Sequence, residues 1–94
     1  MHHTILRLSG TSAALGDSRS TVYRHVDDEL LTRQIRLGRR CVGWPAHEIE
    51  AIAAARIAGW TDDQIRGLVR RLTAARATID PDMVASSPAE AGSR

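Results

Sequence analysis

The spacing of apolar side chains along the chain changes several times, and each change predicts a different element. A short apolar lead-in over residues 4–8 is followed by a brief helix over residues 9–15, for which Ser9 or Thr11 is the expected cap. Gly16 predicts the end of this helix, because glycine readily adopts the left-handed conformation found at helix C-termini.

A second helix is predicted from a cap at Asp17 or Ser18 to about Asp28. Val22 and Val26 are four residues apart and mark its buried side. Two short helices with a glycine at the corner fit a helix-turn-helix. Any small helical hairpin would share this pattern, so the pattern alone leaves that alternative open.

The next segment alternates between polar and apolar residues, which is typical of β-structure. Residues 34–37 and 41–44 alternate on either side of a turn at Gly38, and this arrangement predicts a β-hairpin. Arginines occupy the tip and outer side of the hairpin, at Arg36, Arg39 and Arg40. A helix-turn-helix followed by a basic hairpin is the winged-helix arrangement, with the hairpin as the wing.

Two further helices complete the expected architecture. The first runs over residues 46–58 after Pro45 and stops at Gly59, and the second begins with a capping box formed by Thr61 and Gln64 and continues to about Ala77. The predicted buried positions of the two helices are Ile49, Ile52, Ala53, Ile57, Ile65, Leu68, Val69 and Leu72. We therefore expect one domain over residues 4–77 and, from the polar and Pro-containing composition that follows, a disordered tail over residues 78–94.

Composition and charge favour a nucleic-acid-binding protein over an enzyme or a membrane protein. All 13 basic residues are arginine. The formal net charge of the chain is +2, but the segment from Ala77 onward carries a net charge of −2, so the residues before it carry +4. A basic domain is compatible with a nucleic-acid partner. Cys41 is alone, no apolar run is long enough to span a membrane, and no nucleophile–base pair or phosphate-binding glycine loop is evident. We expect a cytoplasmic, nucleoid-associated protein that is not an enzyme and has no cofactor, no metal and no membrane partner.

The stretch SRSTVYRH, residues 18–25, concentrates hydrogen-bonding groups on one helix. With Val22 facing the core, the outer face, the helix start and the flank carry Ser18, Arg19, Ser20, Thr21, Tyr23 and Arg24. Hydroxyls and amides at a helix N-terminus can bind phosphate, and arginine can reach base edges. Three acids follow at residues 27–29, so only the N-terminal half of the helix could face DNA. A well-capped, solvated helix and a solvated hairpin are the alternatives.

Together these segments resemble the AlpA-type regulators, small MerR-like winged-helix proteins of prophages and integrated mobile elements. The resemblance covers roughly residues 6 to 76 and is carried by RLSGTSAALG, SRSTVYRHV, IRLGRRCVGW and ARIAGWTDDQIRGLVRRL. The chain departs from the family pattern at Glu29, where the family usually has glycine, and at Thr32 and Gln34, where it usually has proline.

The resemblance implies a mainly α fold with a small β-hairpin, namely a MerR-like winged helix-turn-helix with additional C-terminal helices. It also implies sequence-specific binding of double-stranded DNA, as a transcriptional activator of integrase or excision genes or as an excisionase-like recombination directionality factor. The implied recognition helix contains Ser18, Arg19, Ser20, Thr21, Tyr23 and Arg24, and the implied wing contains Arg36, Arg39 and Arg40.

We expect homodimers or cooperative multimers on DNA, because one such module buries little surface. The helix from Thr61 is a candidate for self-association. Two other functions stay open from the sequence. One is a protein-interaction module that recruits an integrase or an RNA polymerase subunit through the helix over residues 61–77, and the other is an antitoxin-like partner.

Overall fold

The computed structural model describes residues 4–79, which form four helices and a small three-stranded sheet. The elements, in chain order, are β1 (Ile5–Arg7), α1 (Leu8–Leu15), α2 (Arg19–Asp27), β2 (Ile35–Gly38), β3 (Cys41–Pro45), α3 (Ala46–Ile57) and α4 (Asp62–Arg76). The fold is therefore mainly α with a small antiparallel sheet, and the predicted helices and hairpin are confirmed. The expected tail over residues 78–94 lies, from residue 80 onward, outside the described residues.

The sheet has three strands, in the order β1-β3-β2, with both pairs antiparallel. The apolar lead-in is thus a strand, β1, that pairs Leu6 with Trp44 and places Arg7 opposite Gly43. Three residues are too few to show strand alternation, which is why the sequence pattern did not predict β1. A Cβ atom at Gly43 would lie 2.8 Å from the carbonyl oxygen of Leu6, so the central strand needs glycine at this position.

Three helices end with the same hydrogen-bonding pattern, the Schellman motif. In α1 it places Gly16 at φ 70°, in α2 it places Glu29 at φ 63°, and in α3 it places Gly59 at φ 80°. After α2, for example, the amide of Glu29 donates to the carbonyl of Val26 at 3.1 Å, and the amide of Leu30 donates to His25 at 2.8 Å. The predicted helix ends at Gly16 and Gly59 are confirmed.

The predicted N-terminal caps of α2 and α4 are found in the structure, whereas the predicted cap of α1 is not. Ser18 caps α2, and Thr61 and Gln64 form the predicted capping box of α4. The prediction for α1 was wrong, because that helix begins one residue earlier than expected, at Leu8, with Arg7 at the cap position. Thr11 consequently lies inside the helix, where its side chain is buried and does not cap.

The core lies between the sheet and the helices and is built around Trp44. Its other fully or nearly fully buried apolar side chains are Val22, Leu31, Ile49, Ile52, Ala55, Ile65 and Val69. The predicted stripe of α4 packs on this core, with Leu68 and Leu72 partly buried. The prediction for Ile57 was wrong, since its side chain is 88% exposed at the last residue of α3, and Ala55 is buried instead.

Candidate nucleic-acid interface

Helix α2 presents most of its polar side chains to solvent because its apolar side is anchored in the core. Val22 is fully buried and Val26 packs against the core cluster. Ser20 and Arg24, which follow each other at helical spacing, are exposed on the opposite side. Ser20 and Arg24 of the predicted outer face are therefore exposed, whereas Thr21 is half-buried.

The start of α2 is held by its own hydroxyl groups. Ser18 Oγ accepts the amide of Thr21 at 3.2 Å and donates to Thr21 Oγ1 at 2.8 Å. Both hydroxyls stay at the surface or half-buried beside the exposed Arg19. The cap fixes the first turn of the helix, whose other leading amides have no acceptor within the helix.

The helix-turn-helix is tied to the rest of the fold by an ionic cluster at the corner between α1 and α2. Arg56 from α3 donates to Asp17 Oδ2 at 2.9 Å, and its other terminal nitrogen lies 3.0 Å from His25 Nδ1. His25 Nδ1 in turn lies 3.2 Å from Asp17 Oδ2. Arg66 from α4 donates to the carbonyl of Asp28 at 3.0 Å, which anchors the far end of α2. Both ends of α2 are thus positioned by side chains from the C-terminal helices.

The wing is the β2–β3 hairpin. Arg36 pairs with Val42, Gly38 pairs with Cys41, and the register shifts between them, so that the hairpin bulges at Leu37 before its tip. Arg36, Arg39 and Arg40 are all exposed. A bulge of this kind generally increases the local twist of a hairpin.

Tyr23 connects the helix to the wing. Its ring lies 6.2 Å from the ring of Trp44 on β3, with the two planes tilted by 56°. Such tilted aromatic pairs are favourable beyond the area that they bury. Tyr23 is half-buried by this contact, so it sets the position of α2 against the sheet and keeps part of its surface accessible.

Some of the predicted site residues come together and others do not. Arg19 and Tyr23 from α2 line one cleft with Arg40 from the wing. The other predicted site residues belong to the same helix and wing but do not line that cleft; they are Ser18, Ser20, Thr21, Arg24, Arg36 and Arg39. The cleft also contains Arg7 from β1, which sequence reasoning missed because β1 was not recognised as a strand next to β3.

The acids that follow α2 lie at the end remote from its capped start. Asp27, Asp28 and Glu29 are exposed, and they are at the C-terminal end of the helix. The first turn of α2 carries hydroxyl groups and Arg19, whereas Arg24 lies in the last turn, where the carboxylates of Asp27 and Asp28 oppose the approach of a polyanion.

A metal-binding cluster and a membrane-spanning helix are both absent from residues 4–79. No group of three or more His, Cys, Asp or Glu side chains there is placed to hold a metal ion. None of the helices in that range combines the length and the apolar character needed to cross a bilayer.

Helices α1 and α2 with an arginine-tipped hairpin beside them define a winged helix-turn-helix protein. The family model described as prophage CP4-57 regulatory protein (AlpA) matches residues 4–57, more than half of the sequence. The chain therefore belongs to the AlpA family of prophage regulatory proteins, which confirms the family predicted from the motifs. The match ends with α3, so α4 lies beyond it. No curated protein and no solved structure matched the chain.

Proposed function

We propose that this protein binds double-stranded DNA in a sequence-specific manner and thereby regulates genes or recombination of a prophage or integrative element. In this proposal the exposed face of α2 that carries Ser20 and Arg24 enters the major groove, and the β2–β3 wing lies along the neighbouring phosphate backbone. The family is one of regulatory proteins rather than of enzymes, which agrees with a binding function.

The observation that carries the proposal is the unpaired charge on these two elements. Within the described residues, the side chains of Arg19 and Arg24 on α2 and those of the three wing arginines take part in no ion pair or hydrogen bond. A guanidinium group without a protein acceptor keeps all five N–H donors available for phosphate oxygens or guanine edges. The unpaired set comprises Arg19, Arg24, Arg36, Arg39 and Arg40.

Each element has a separate expected task. Arg24 lies on the exposed face of α2 with Ser20, where a helix in the major groove presents side chains to base edges. Arg39 and Arg40 lie at the turn of the wing, where contact with phosphates positions the protein without reading sequence. Within the regulatory function, activation of integrase or excision genes and direct action in excision are both compatible with such binding.

The burial of the apolar side of α4 argues against the protein-interaction alternative. In that alternative, α4 would offer its apolar side to an integrase or a polymerase subunit. Ile65 and Val69 are instead buried in the core of this chain, and the exposed side carries Arg70 and Arg71. A helix that uses its apolar stripe within its own fold has less to offer a partner, which favours DNA binding. Homodimers or cooperative multimers on repeated sites remain part of the proposal.

The experiment that tests sequence-specific binding compares two duplexes, one enriched by selection from random sequences and one of mixed sequence. We expect the wild type to prefer the enriched duplex, and we expect Arg24→Ala to lower that preference about 5- to 160-fold, because a bidentate arginine–base contact contributes about 1–3 kcal/mol of discrimination. Residual binding of both duplexes should persist through the wing. Gel-shift titrations with purified protein measure both affinities.

The matched control is Arg71→Ala, which removes the same charge from the exposed side of α4. It should leave the preference unchanged. If Arg24→Ala keeps the wild-type preference, α2 does not read bases through Arg24. If the wild type binds neither duplex, the proposed function is wrong and the protein-interaction alternative gains support.

A further inference from the structure

An open cleft of about 550 Å³ separates the start of α1 from α2 and the wing. Three arginines from three different elements line it, namely Arg7 from the end of β1, Arg19 from the start of α2 and Arg40 from the wing. No carboxylate lines the same cleft. The fold therefore brings together three positive charges that are far apart in the sequence, without an acid among them.

None of these three guanidinium groups has a partner in the part of the chain that the structure describes. Arg56 and Arg76, by contrast, each bind a carboxylate at 2.9 Å or less. Like charges that line one cleft repel one another, and an anion between them removes that repulsion while using their planar donor groups. The cleft is therefore complementary to an anion with several oxygens.

The first turn of α1 adds neutral donors at the same place. Leu8 and Ser9 line the cleft, and α1 has neither a side-chain cap nor an acidic residue in its first turn. The leading amides of a helix have no acceptor within the helix and carry a partial positive charge. The Ser9 hydroxyl and the Tyr23 side chain are further polar groups at the wall of the cleft. Amides and hydroxyls of this kind bind phosphate oxygens in protein–DNA interfaces.

We propose that this cleft binds one phosphodiester group of the DNA backbone and that Arg7 is a phosphate-binding residue. The inference rests on the proposed function, because it takes duplex DNA as the source of the phosphate. The cleft lies between α2 and the wing, so a phosphate held there would fix both elements on one backbone strand. Such a contact sets the register of the protein on DNA and reads no sequence.

The test compares Arg7→Gln with Arg71→Gln, which removes an equal charge from the exposed side of α4, away from the cleft. Fluorescence anisotropy with a labelled mixed-sequence duplex measures affinity over a series of salt concentrations. We expect a lower affinity in Arg7→Gln and a slope of log affinity against log salt that is shallower by up to about 0.9, the value for complete loss of one phosphate contact, because Arg19 and Arg40 still line the cleft. The slope of Arg71→Gln should equal that of the wild type.

The single cysteine supplies a second readout, because Cys41 is half-buried at the wall of the cleft. Bound duplex should slow the alkylation of Cys41 by iodoacetamide in the wild type, and the protection should be weaker in Arg7→Gln. Inorganic phosphate, added at the same total phosphate concentration, should give no comparable protection. Protection by inorganic phosphate alone, without protection by the duplex, would instead identify a site for a free anion and overturn the assignment to DNA.

The two failures can be distinguished. If the wild type binds duplex DNA but Arg7→Gln keeps the wild-type slope and the wild-type protection of Cys41, the phosphate site is wrong and the proposed function stands. If the wild type does not bind duplex DNA, the proposed function is wrong and the assignment of a backbone phosphate falls with it.

Discussion

The arginines in the first half of the molecule and those in the second half have different surroundings. From Thr4 to Pro45, no arginine side chain takes part in an ion pair or a hydrogen bond within the described residues. Beyond Pro45, three of the five described arginines hold other elements in place: Arg56, Arg66 and Arg76. The same residue type therefore serves the scaffold in one half and stays available to a ligand in the other.

What separates the two groups is the position of their acceptors. Glu48 has no exposed surface at the start of α3, and Arg76 donates to both of its carboxylate oxygens, at 2.8 and 2.6 Å. Arg76 also donates to the carbonyl of Arg33 at 2.8 Å, at the approach to β2. A high arginine content alone does not identify a DNA-binding surface, whereas arginines without acceptors, gathered on two adjoining elements, are good candidates for one.

The largest effect that tests this comparison is expected at the buried ion pair. Arg76→Ala should lower the free energy of unfolding by about 3–5 kcal/mol, because it leaves the Glu48 carboxylate buried without its partner. Arg71→Ala, on the exposed side of the same helix, should change it by less than about 0.5 kcal/mol. Urea unfolding followed by circular dichroism measures both. Equal, small effects at the two positions would show that Arg76 is not a scaffold residue.

A smaller change in the free energy of unfolding is expected at the C-terminal ends of two helices, α2 in the first half of the molecule and α3 in the second half. Both helices end in the left-handed conformation, α2 with Glu29 at φ 63° and α3 with Gly59 at φ 80°. Glu29→Gly should raise the free energy of unfolding by about 1 kcal/mol, because a side chain disfavours this conformation. Thermal unfolding measures the change.

The matched control for Glu29→Gly is the opposite change at the end of α3. Gly59→Ala should lower the free energy of unfolding by a similar amount, although an added Cβ there meets no atom within 4 Å. A loss of stability in Glu29→Gly would mean that the glutamate side chain contributes more than its backbone conformation costs.

Much of the architecture could be predicted from local signals. The glycine at the end of α1, the cap at Ser18, the capping box at Thr61 and the alternation around Gly38 are short-range features, and each appears in the structure as expected. Such features depend on residues a few positions apart, which a single sequence displays directly.

The features that the sequence did not predict depend on contacts between distant residues. β1 is a strand because it pairs with β3, with Leu6 opposite Trp44. Glu48 can be buried because Arg76, from another helix, donates hydrogen bonds to its carboxylate. For the same reason Arg7 was absent from the predicted site, since only the pairing of β1 with β3 brings it to the cleft beside Arg40. Ile57 fits the helical stripe by spacing, yet α3 ends at this residue and leaves it exposed.

The most direct test of the account is the salt dependence of duplex binding by the isolated protein. With about 4 to 6 arginine–phosphate contacts per protomer, log affinity should fall with log salt at a slope near −4 to −5. In Arg39→Ala plus Arg40→Ala the slope should be shallower by about 2, with equal loss of affinity for all sequences and an unchanged free energy of unfolding. A wild-type protein that binds duplex DNA with no salt dependence, or that does not bind it at all, would contradict the account.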